Sequence, residues 1–148
     1  MAGQEREARL RRKHFPVFTP IATRWGDNDV SGHVNNVVYY AFFDTAVNRL
    51  LMEGGALDVA TSDTVGLVVS NACTFFESVA FPETIEVGLR VERLGRSSVT
   101  YQLGVFRAGG EEAAAQGRFT HVYVTRADQR PVAIPAAVLR ALEGLLIK

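Results

Sequence analysis

The sequence has little of what a disulfide-stabilised, membrane-spanning or strongly charged protein requires. Its single cysteine, Cys73, cannot form an internal disulfide, and its apolar neighbours favour a small buried side chain in a reducing cytoplasm over a reactive thiol. Its 16 basic and 16 acidic residues cancel, so no overall field attracts nucleic acid or an anionic membrane. No apolar run is long enough to span a bilayer or to act as a secretory signal. We therefore expect a cytoplasmic protein with neither nucleic acid nor a membrane as its partner.

The composition itself is typical of one globular domain. Hydrophobic residues make up 47% and charged residues 22% of 148 positions. Residues 1–15, rich in Arg but also containing Glu5 and Glu7, are predicted to form a charged, solvated N-terminal extension. Residues 16–148 are predicted to form a single domain.

The apolar pattern predicts two helices and five strands. Residues 36–53 lack Pro and Gly, stop at Gly54-Gly55 and carry apolar side chains around most of the helix, so this helix should be buried on several sides. A second, amphipathic helix is predicted over residues 135–146. The strands are predicted over residues 16–23, 66–81, 84–94, 97–107 and 113–126. Because strands joined by short turns are antiparallel neighbours, the sequence predicts an α+β fold in which a curved antiparallel sheet wraps one long central helix.

The most polar stretch, RWGDNDVSGHVNN at residues 24–36, stands just before the central helix. Its Gly, Asp, Asn and Ser residues are ordinary turn and capping residues, which is one explanation. That explanation does not readily cover Asp27, Asp29 and His33 together. Free N–H groups at a helix start favour the oxyanion that develops in acyl transfer, and a carboxylate beside them could act as base or nucleophile. The stretch therefore indicates chemistry on a carbonyl group.

The pattern W-G-D-x-D-x-x-G-H-V-N-N-x-x-Y before a long helix resembles that of the hot-dog-fold acyl-CoA thioesterases of the 4-hydroxybenzoyl-CoA thioesterase type. Its G-H-V-N-N part matches the subgroup with fatty-acyl substrates. The Phe81-Pro82-Glu83 turn and the stretch RLGRSS at residues 93–98 extend the likeness to about residues 16–146. The resemblance implies a homodimer or homotetramer built by joining sheets edge to edge. It also implies no cofactor, since coenzyme A is part of the substrate.

The resemblance implies a role for each matching residue. Asp29 aligns with the catalytic carboxylate, which acts as nucleophile or as base toward water, and Asn36 falls where a backbone N–H polarises the thioester carbonyl. His33 is grouped with the catalytic residues, with its exact role open. Asn35 and Tyr39 match substrate-binding positions on the same loop and helix.

Further residues are candidates for substrate binding. Beside the resemblance, we interpret Arg93, Arg96, Ser97 and Ser98 as phosphate contacts to coenzyme A, the alternative being a solvated hairpin tip. Asn71, in an otherwise apolar strand, should have a polar partner, possibly the motif loop.

Several residues have a structural explanation instead. Asp27 is interpreted as a turn acid and His121 as a strand residue, and Asp44 is the spare catalytic candidate on the helix. We expect no metal, because no cysteine cluster or second histidine accompanies the motif.

The predicted function is hydrolysis of an acyl-CoA, with an aliphatic acyl group favoured, to a free acid and coenzyme A. The alternatives are a non-catalytic acyl-CoA-binding protein and a dehydratase acting on hydroxyacyl thioesters through His33. A carrier-protein thioester is a further substrate variant.

Overall fold

The computed structural model describes residues 7–57 and 62–147. Within these residues a five-stranded antiparallel sheet, in the order β1-β3-β4-β5-β2, curves around one long helix, which confirms the predicted α+β class. A short helix near the C-terminus completes the fold. In chain order the elements are β1 (Val17–Ala22), α1 (Val38–Glu53), β2 (Thr64–Phe75), β3 (Thr84–Leu94), β4 (Ser98–Arg107), β5 (Ala115–Thr125) and α2 (Ala136–Ala141).

The main core lies between α1 and the concave face of the sheet. Alternation along β3 turns Ile85, Val87, Leu89 and Val91 towards α1, and all four are buried. Gly117 of β5 packs directly against the helix. A Cβ there would lie 2.8 Å from the Phe43 ring and 1.9 Å from the Ala72 carbonyl oxygen, so the packing leaves room only for glycine.

The opposite face of the sheet carries a second, smaller apolar cluster built on Phe15. Its ring packs on Gly88 and Gly104, which are paired across β3 and β4, and meets Phe106 edge to face at 5.8 Å. The Leu10 N–H also bonds to the Gln116 side chain at 2.7 Å. The expectation of a solvated extension is therefore wrong for Phe15, because the two glycines open a slot on the sheet for its ring, whereas Glu7, Ala8, Arg11 and Lys13 are exposed. Residues 1–6 lie outside the described residues.

Two elements end five or more residues before their predicted ends. β2 ends at Phe75 instead of residue 81, because the N–H groups of Phe76 and Glu77 both bond to the Ala114 carbonyl and end the regular pairing. α2 ends at Ala141 instead of residue 146. Gly144 beyond it has a φ of +82°, and the chain then bonds in parallel to Val91 of β3.

The two edge strands of the sheet differ in character. β1 carries Pro20, whose missing N–H weakens an edge for further pairing. β2 has no charged residue, and its Leu67, Val68 and Val69 are exposed. In the described part of the chain, no helix has the length and apolar character needed to cross a membrane.

Candidate active site

The polar stretch at residues 24–36 forms a loop that is fixed to the rest of the domain at both ends. The buried Asp27 carboxylate accepts hydrogen bonds from the Arg24 backbone N–H at 2.8 Å and from its guanidinium at 2.9 Å. The Asp27 carbonyl accepts a bond from the Asn35 N–H at 2.8 Å, and the Val34 N–H donates to the Val79 carbonyl at 2.8 Å. Asp27 therefore shapes the loop, as interpreted from the sequence.

Between these two attachments the chain makes a tight turn that presents Asp29. The Asp29 N–H donates to the His33 carbonyl at 2.9 Å and the Gly32 N–H to the Asp29 carbonyl at 3.0 Å, while Gly32 takes the φ of +84° that the turn needs. One carboxylate oxygen of Asp29 accepts both the hydroxyl and the N–H of Ser31. The hydrogen bond from the Ser31 hydroxyl is the main cause of a lowered pKa for Asp29, so this exposed carboxylate is charged at neutral pH.

The helix start beside Asp29 offers an unused backbone donor. The Val37 N–H is capped by the Asn35 side-chain oxygen at 3.2 Å, and the Val38 N–H donates to the Asn35 carbonyl at 3.0 Å. These bonds explain why α1 begins at Val38 instead of residue 36. Among the described residues, the Asn36 N–H has no hydrogen-bond partner. An N–H at this position lies at the positive end of the α1 dipole and is suited to bind an anionic oxygen.

Asp29, His33 and Asn36 line one cleft of about 470 Å³. Tyr39 forms part of its wall, with its ring edge to face against Phe75 at 4.9 Å, and burial raises the pKa of Tyr39 to about 12. The cleft thus joins a charged carboxylate, an imidazole and a free N–H to an aromatic wall. The remaining lining residues are Ser31, Val34, Phe76, Glu77 and Ser78.

The predicted coenzyme A contacts lie away from this cleft in a single chain. Arg93 and Arg96 occupy the β3–β4 hairpin with Ser97 and Ser98, at the end of β3 remote from Thr84. Thr84 pairs with Ala22 next to the motif loop, so the length of β3, roughly 30 Å, separates the two regions. One chain does not bring these residues together with Asp29.

Asn71 is also outside the cleft. It lies exposed on the edge strand β2. Its side chain makes no hydrogen bond with the described residues, so the expected polar partner is not found within the described chain. The expectation assumed a buried strand, whereas water can satisfy an amide at an open sheet edge.

The other sequence candidates have clear positions. Asp44 is exposed on α1, and its carboxylate accepts a hydrogen bond from Asn48 at 2.9 Å. Cys73 is half-buried against the core, and burial raises the pKa of its thiol to about 12. His121 lies in β5 as expected, but it is buried. Across residues 7–57 and 62–147, no group of three or more His, Cys, Asp or Glu residues is arranged to hold a metal ion.

The cleft residues that the sequence analysis missed include Ser31 and Glu77. Ser31 follows Asp29 by two positions, the spacing at which an Asp side chain accepts a backbone N–H, so turn chemistry could have identified it. Glu77 was taken as part of a strand. It lines the cleft while its carboxylate pairs with Arg9 of the N-terminal segment, a contact that no local pattern signals.

A long helix wrapped by a curved antiparallel sheet of five strands defines a hot-dog fold. The chain belongs to the thioesterase-like superfamily, whose family model matches residues 23–142. Membership supports acyl-thioester hydrolysis as the general activity.

Solved structures share this fold over most of the chain. The PA5185 protein of Pseudomonas aeruginosa strain PAO1 is 56% identical, with 94% of this chain and 97% of that chain covered and a TM-score of 0.92. The PA2801 protein of the same species is 26% identical over 91% of this chain and 99% of that chain, with a TM-score of 0.79. The DHNA-CoA thioesterase of Staphylococcus aureus, 21% identical over 78% of each chain with a TM-score of 0.71, shares the fold.

A more distant sequence relative is YsmA of Bacillus subtilis. It is 23% identical over 86 residues, which are 58% of this chain and 58% of YsmA. The chain thus spans little more than half the length of the curated relative that it matches.

Proposed function

We propose that the protein hydrolyses an acyl-CoA thioester, with an aliphatic acyl group, to a free acid and coenzyme A. The observation that supports this proposal is the cleft lined both by the charged Asp29 carboxylate and by the start of α1, where the Asn36 N–H has no partner among the described residues. A thioester carbonyl between them would meet a nucleophile or base on one side and an oxyanion donor on the other. The G-H-V-N-N likeness and the apolar wall formed by Tyr39 and Phe75 favour an aliphatic acyl group.

Two routes give the same products from this arrangement. In the first, an Asp29 oxygen attacks the thioester carbon and the thiolate leaves, after which water cleaves the resulting acyl-aspartyl anhydride. In the second, Asp29 removes a proton from a water molecule that attacks the thioester carbon directly. In both routes the tetrahedral oxyanion is held by the Asn36 N–H, and water supplies one oxygen to the acid. In the first route the thiolate leaves before water enters and takes its proton from the solvent, and hydrolysis of the anhydride then frees the acid and restores the Asp29 carboxylate. In the second route the thiolate takes the proton that Asp29 removed from water.

The proposal includes a homodimer formed through β2. A strand edge with no charged residue and with Leu67, Val68 and Val69 exposed is suited to pair with a second copy of itself. We propose that such pairing, alone or within a tetramer, brings Arg93, Arg96, Ser97 and Ser98 of another copy to the coenzyme A phosphates. We propose that Asn71, on the same edge, also contacts the substrate. The cytoplasm is the proposed location, and no cofactor beyond the substrate's own coenzyme A is proposed.

Thiol release from acyl-CoA substrates of increasing chain length tests the proposal. Asp29→Asn keeps the size of the side chain and removes its charge, so kcat should fall by about 100-fold or more. Asp128→Asn is the matched control, because Asp128 is also exposed with a pKa lowered mainly by a hydroxyl, that of Thr125. Its activity should be unchanged. Asn36→Ala should also retain turnover, since the backbone N–H and not the side chain is used.

The outcomes separate the competing functions. If Asp44→Asn lost activity and Asp29→Asn retained it, the catalytic acid would be Asp44 on α1. The exposed His33 ring also lines the cleft, so enoyl product from a hydroxyacyl-CoA, abolished by His33→Ala, would make the protein a dehydratase. If the protein bound acyl-CoA tightly but hydrolysed neither coenzyme A thioesters nor carrier-protein thioesters, it would be a binding protein.

A further inference from the structure

The N-terminal segment, residues 8–12, is bound to the chain at the start of β5. The Ala113 N–H donates to the Leu10 carbonyl at 2.8 Å. The family model matches residues 23–142, so this segment lies outside the matched part of the chain. Its contacts are therefore additional to those that define the family.

A buried glutamine fixes the backbone on both sides of Arg9. The Gln116 side chain, only 2% exposed, accepts a hydrogen bond from the Leu10 N–H at 2.7 Å and donates to the Ala8 carbonyl at 3.0 Å. The acceptor and one donor of this amide are thus both used on the two neighbours of Arg9. The Arg9 side chain consequently starts from a fixed point of the backbone.

Two of the contacts of the Arg9 side chain are with the wall of the Asp29 cleft. The guanidinium pairs with the Glu77 carboxylate and lies over the Phe76 ring, 5.4 Å from its centroid, while its Nε donates to the Ala113 carbonyl at 2.8 Å. Phe76 and Glu77 both line the cleft, and Arg9 is not among the lining residues. Arg9 thus contacts the cleft through two adjacent wall side chains.

This part of the wall lies where regular strand pairing has ended. β2 ends at Phe75, and the N–H groups of Phe76 and Glu77 converge on the single Ala114 carbonyl at 2.8 and 3.0 Å. Side-chain contacts therefore contribute to the orientation of the Phe76 ring and the Glu77 carboxylate. An ion pair and a cation–π contact from one guanidinium act on both at once.

The charge of Glu77 also needs compensation. The cleft already contains the charged Asp29 carboxylate, and the proposed ligand, a coenzyme A thioester, is itself anionic. Because like charges repel, an unpaired Glu77 carboxylate would weaken the binding of this ligand. The positive charge of Arg9 offsets that repulsion.

We propose that Arg9 is a positioning residue for the Asp29 cleft, which orients Phe76 and compensates the charge of Glu77 and so strengthens acyl-CoA binding. Arg9 acts through these two residues and does not contact the reacting atoms. The inference rests on the proposed function, because it takes an acyl-CoA as the ligand.

Calorimetric titration of octanoyl-CoA into the full-length Asp29→Asn variant tests this role without turnover. In that background Arg9→Gln should weaken binding by roughly three- to tenfold, the value of one partly exposed ion pair together with one cation–π contact. Adding Glu77→Gln to Arg9→Gln removes the uncompensated charge and should recover about twofold of the lost affinity. A role in stability alone predicts no recovery, because Glu77→Gln leaves the ion pair broken.

Arg12→Gln is the matched control. Arg12 belongs to the same segment, pairs with the Glu86 carboxylate at 2.9 Å and lies over the Phe106 ring at 5.1 Å. These contacts are of the same kind as those of Arg9, but Arg12, Glu86 and Phe106 do not line the cleft. Arg12→Gln should therefore leave the affinity for octanoyl-CoA unchanged. Equal weakening by the two arginine variants, or no recovery with Glu77→Gln, would overturn the inference.

Failure of this inference can be told apart from failure of the proposed function. If octanoyl-CoA bound to Asp29→Asn with an affinity that Arg9→Gln did not change, the role of Arg9 alone would be refuted. If Asp29→Asn still hydrolysed octanoyl-CoA, the role of Asp29 would be refuted, and the arginine variants would be compared by the KM for thiol release. If octanoyl-CoA were neither bound nor hydrolysed, both proposals would be refuted.

Discussion

We expect His121 to lower the free energy of unfolding when the pH is lowered from 7 to 5. Burial lowers the pKa of His121 from 6.5 to about 4 in the folded state. Below pH 6.5 the unfolded chain therefore takes up a proton that the folded chain refuses until about pH 4. Because the unfolded state binds more protons in this window, the free energy of unfolding falls as the pH falls from 6.5 to 4.

The magnitude follows from the size of the shift. Each unit of pKa difference corresponds to about 1.4 kcal/mol, so the full effect of His121 is about 3 kcal/mol, of which about 2 kcal/mol is lost between pH 7 and pH 5. This is a large share of the roughly 5–15 kcal/mol that stabilises a typical domain.

Urea denaturation at pH 7, 6 and 5 measures this loss. The wild type should lose about 2 kcal/mol more than His121→Phe over the same range. Phenylalanine is a suitable replacement because the imidazole already packs edge to face on the Phe119 ring at 4.9 Å. Parallel pH dependences for the two proteins would refute the argument, since the slope would then come from other groups.

Three further predictions concern the Asp29 cleft, the second apolar cluster around Phe15 and the β2 edge of the sheet. If Asp29 acts in its charged form, kcat/KM should be lost only as the pH falls through its lowered pKa, below the ordinary value of about 4, whereas an acidic limb near pH 6 would indicate a histidine. Gly88→Ala places a Cβ 2.7 Å from the Phe15 ring, so it should lower the free energy of unfolding by about 2 kcal/mol, and far less in a Phe15→Ala background. Val69→Lys on β2 should convert the proposed dimer to monomer in light scattering, whereas Ala22→Lys on β1 should not.

The regular parts of the fold were accessible from the sequence because their patterns are locally determined. β3 was predicted with its observed bounds, since strict alternation with one buried face has a period that no helix shares. The long run before Pro82 was predicted as one strand over residues 66–81. Local propensity does not reveal that two successive N–H groups converge on the Ala114 carbonyl and end β2 at Phe75.

Contacts between distant segments account for the other differences. Phe15 was placed in a solvated extension because its partners, Gly88 and Gly104, give no apolar signal of their own. They form a slot only when β3 and β4 pair in register. His121 was correctly interpreted as a strand residue, but its burial, its missing partners and its place in a cavity depend on α1, α2 and Gly66. A sequence pattern predicts that His121 lies in a strand but does not predict which residues surround it.

The motif loop divides its polar residues between two tasks, which explains why so polar a stretch precedes an apolar helix. Asp27, Asn28 and Asn35 direct side-chain oxygens to backbone N–H groups and fix the path of the loop. Asp29, His33 and Asn36 are instead exposed in the cleft. If Asp29 acts as proposed, a displacement of its carboxylate by about 1 Å would lower the rate, so the fixed path of the loop would contribute to catalysis. The capping explanation and the catalytic explanation of this stretch are therefore complementary, since the first set of residues holds the second in place.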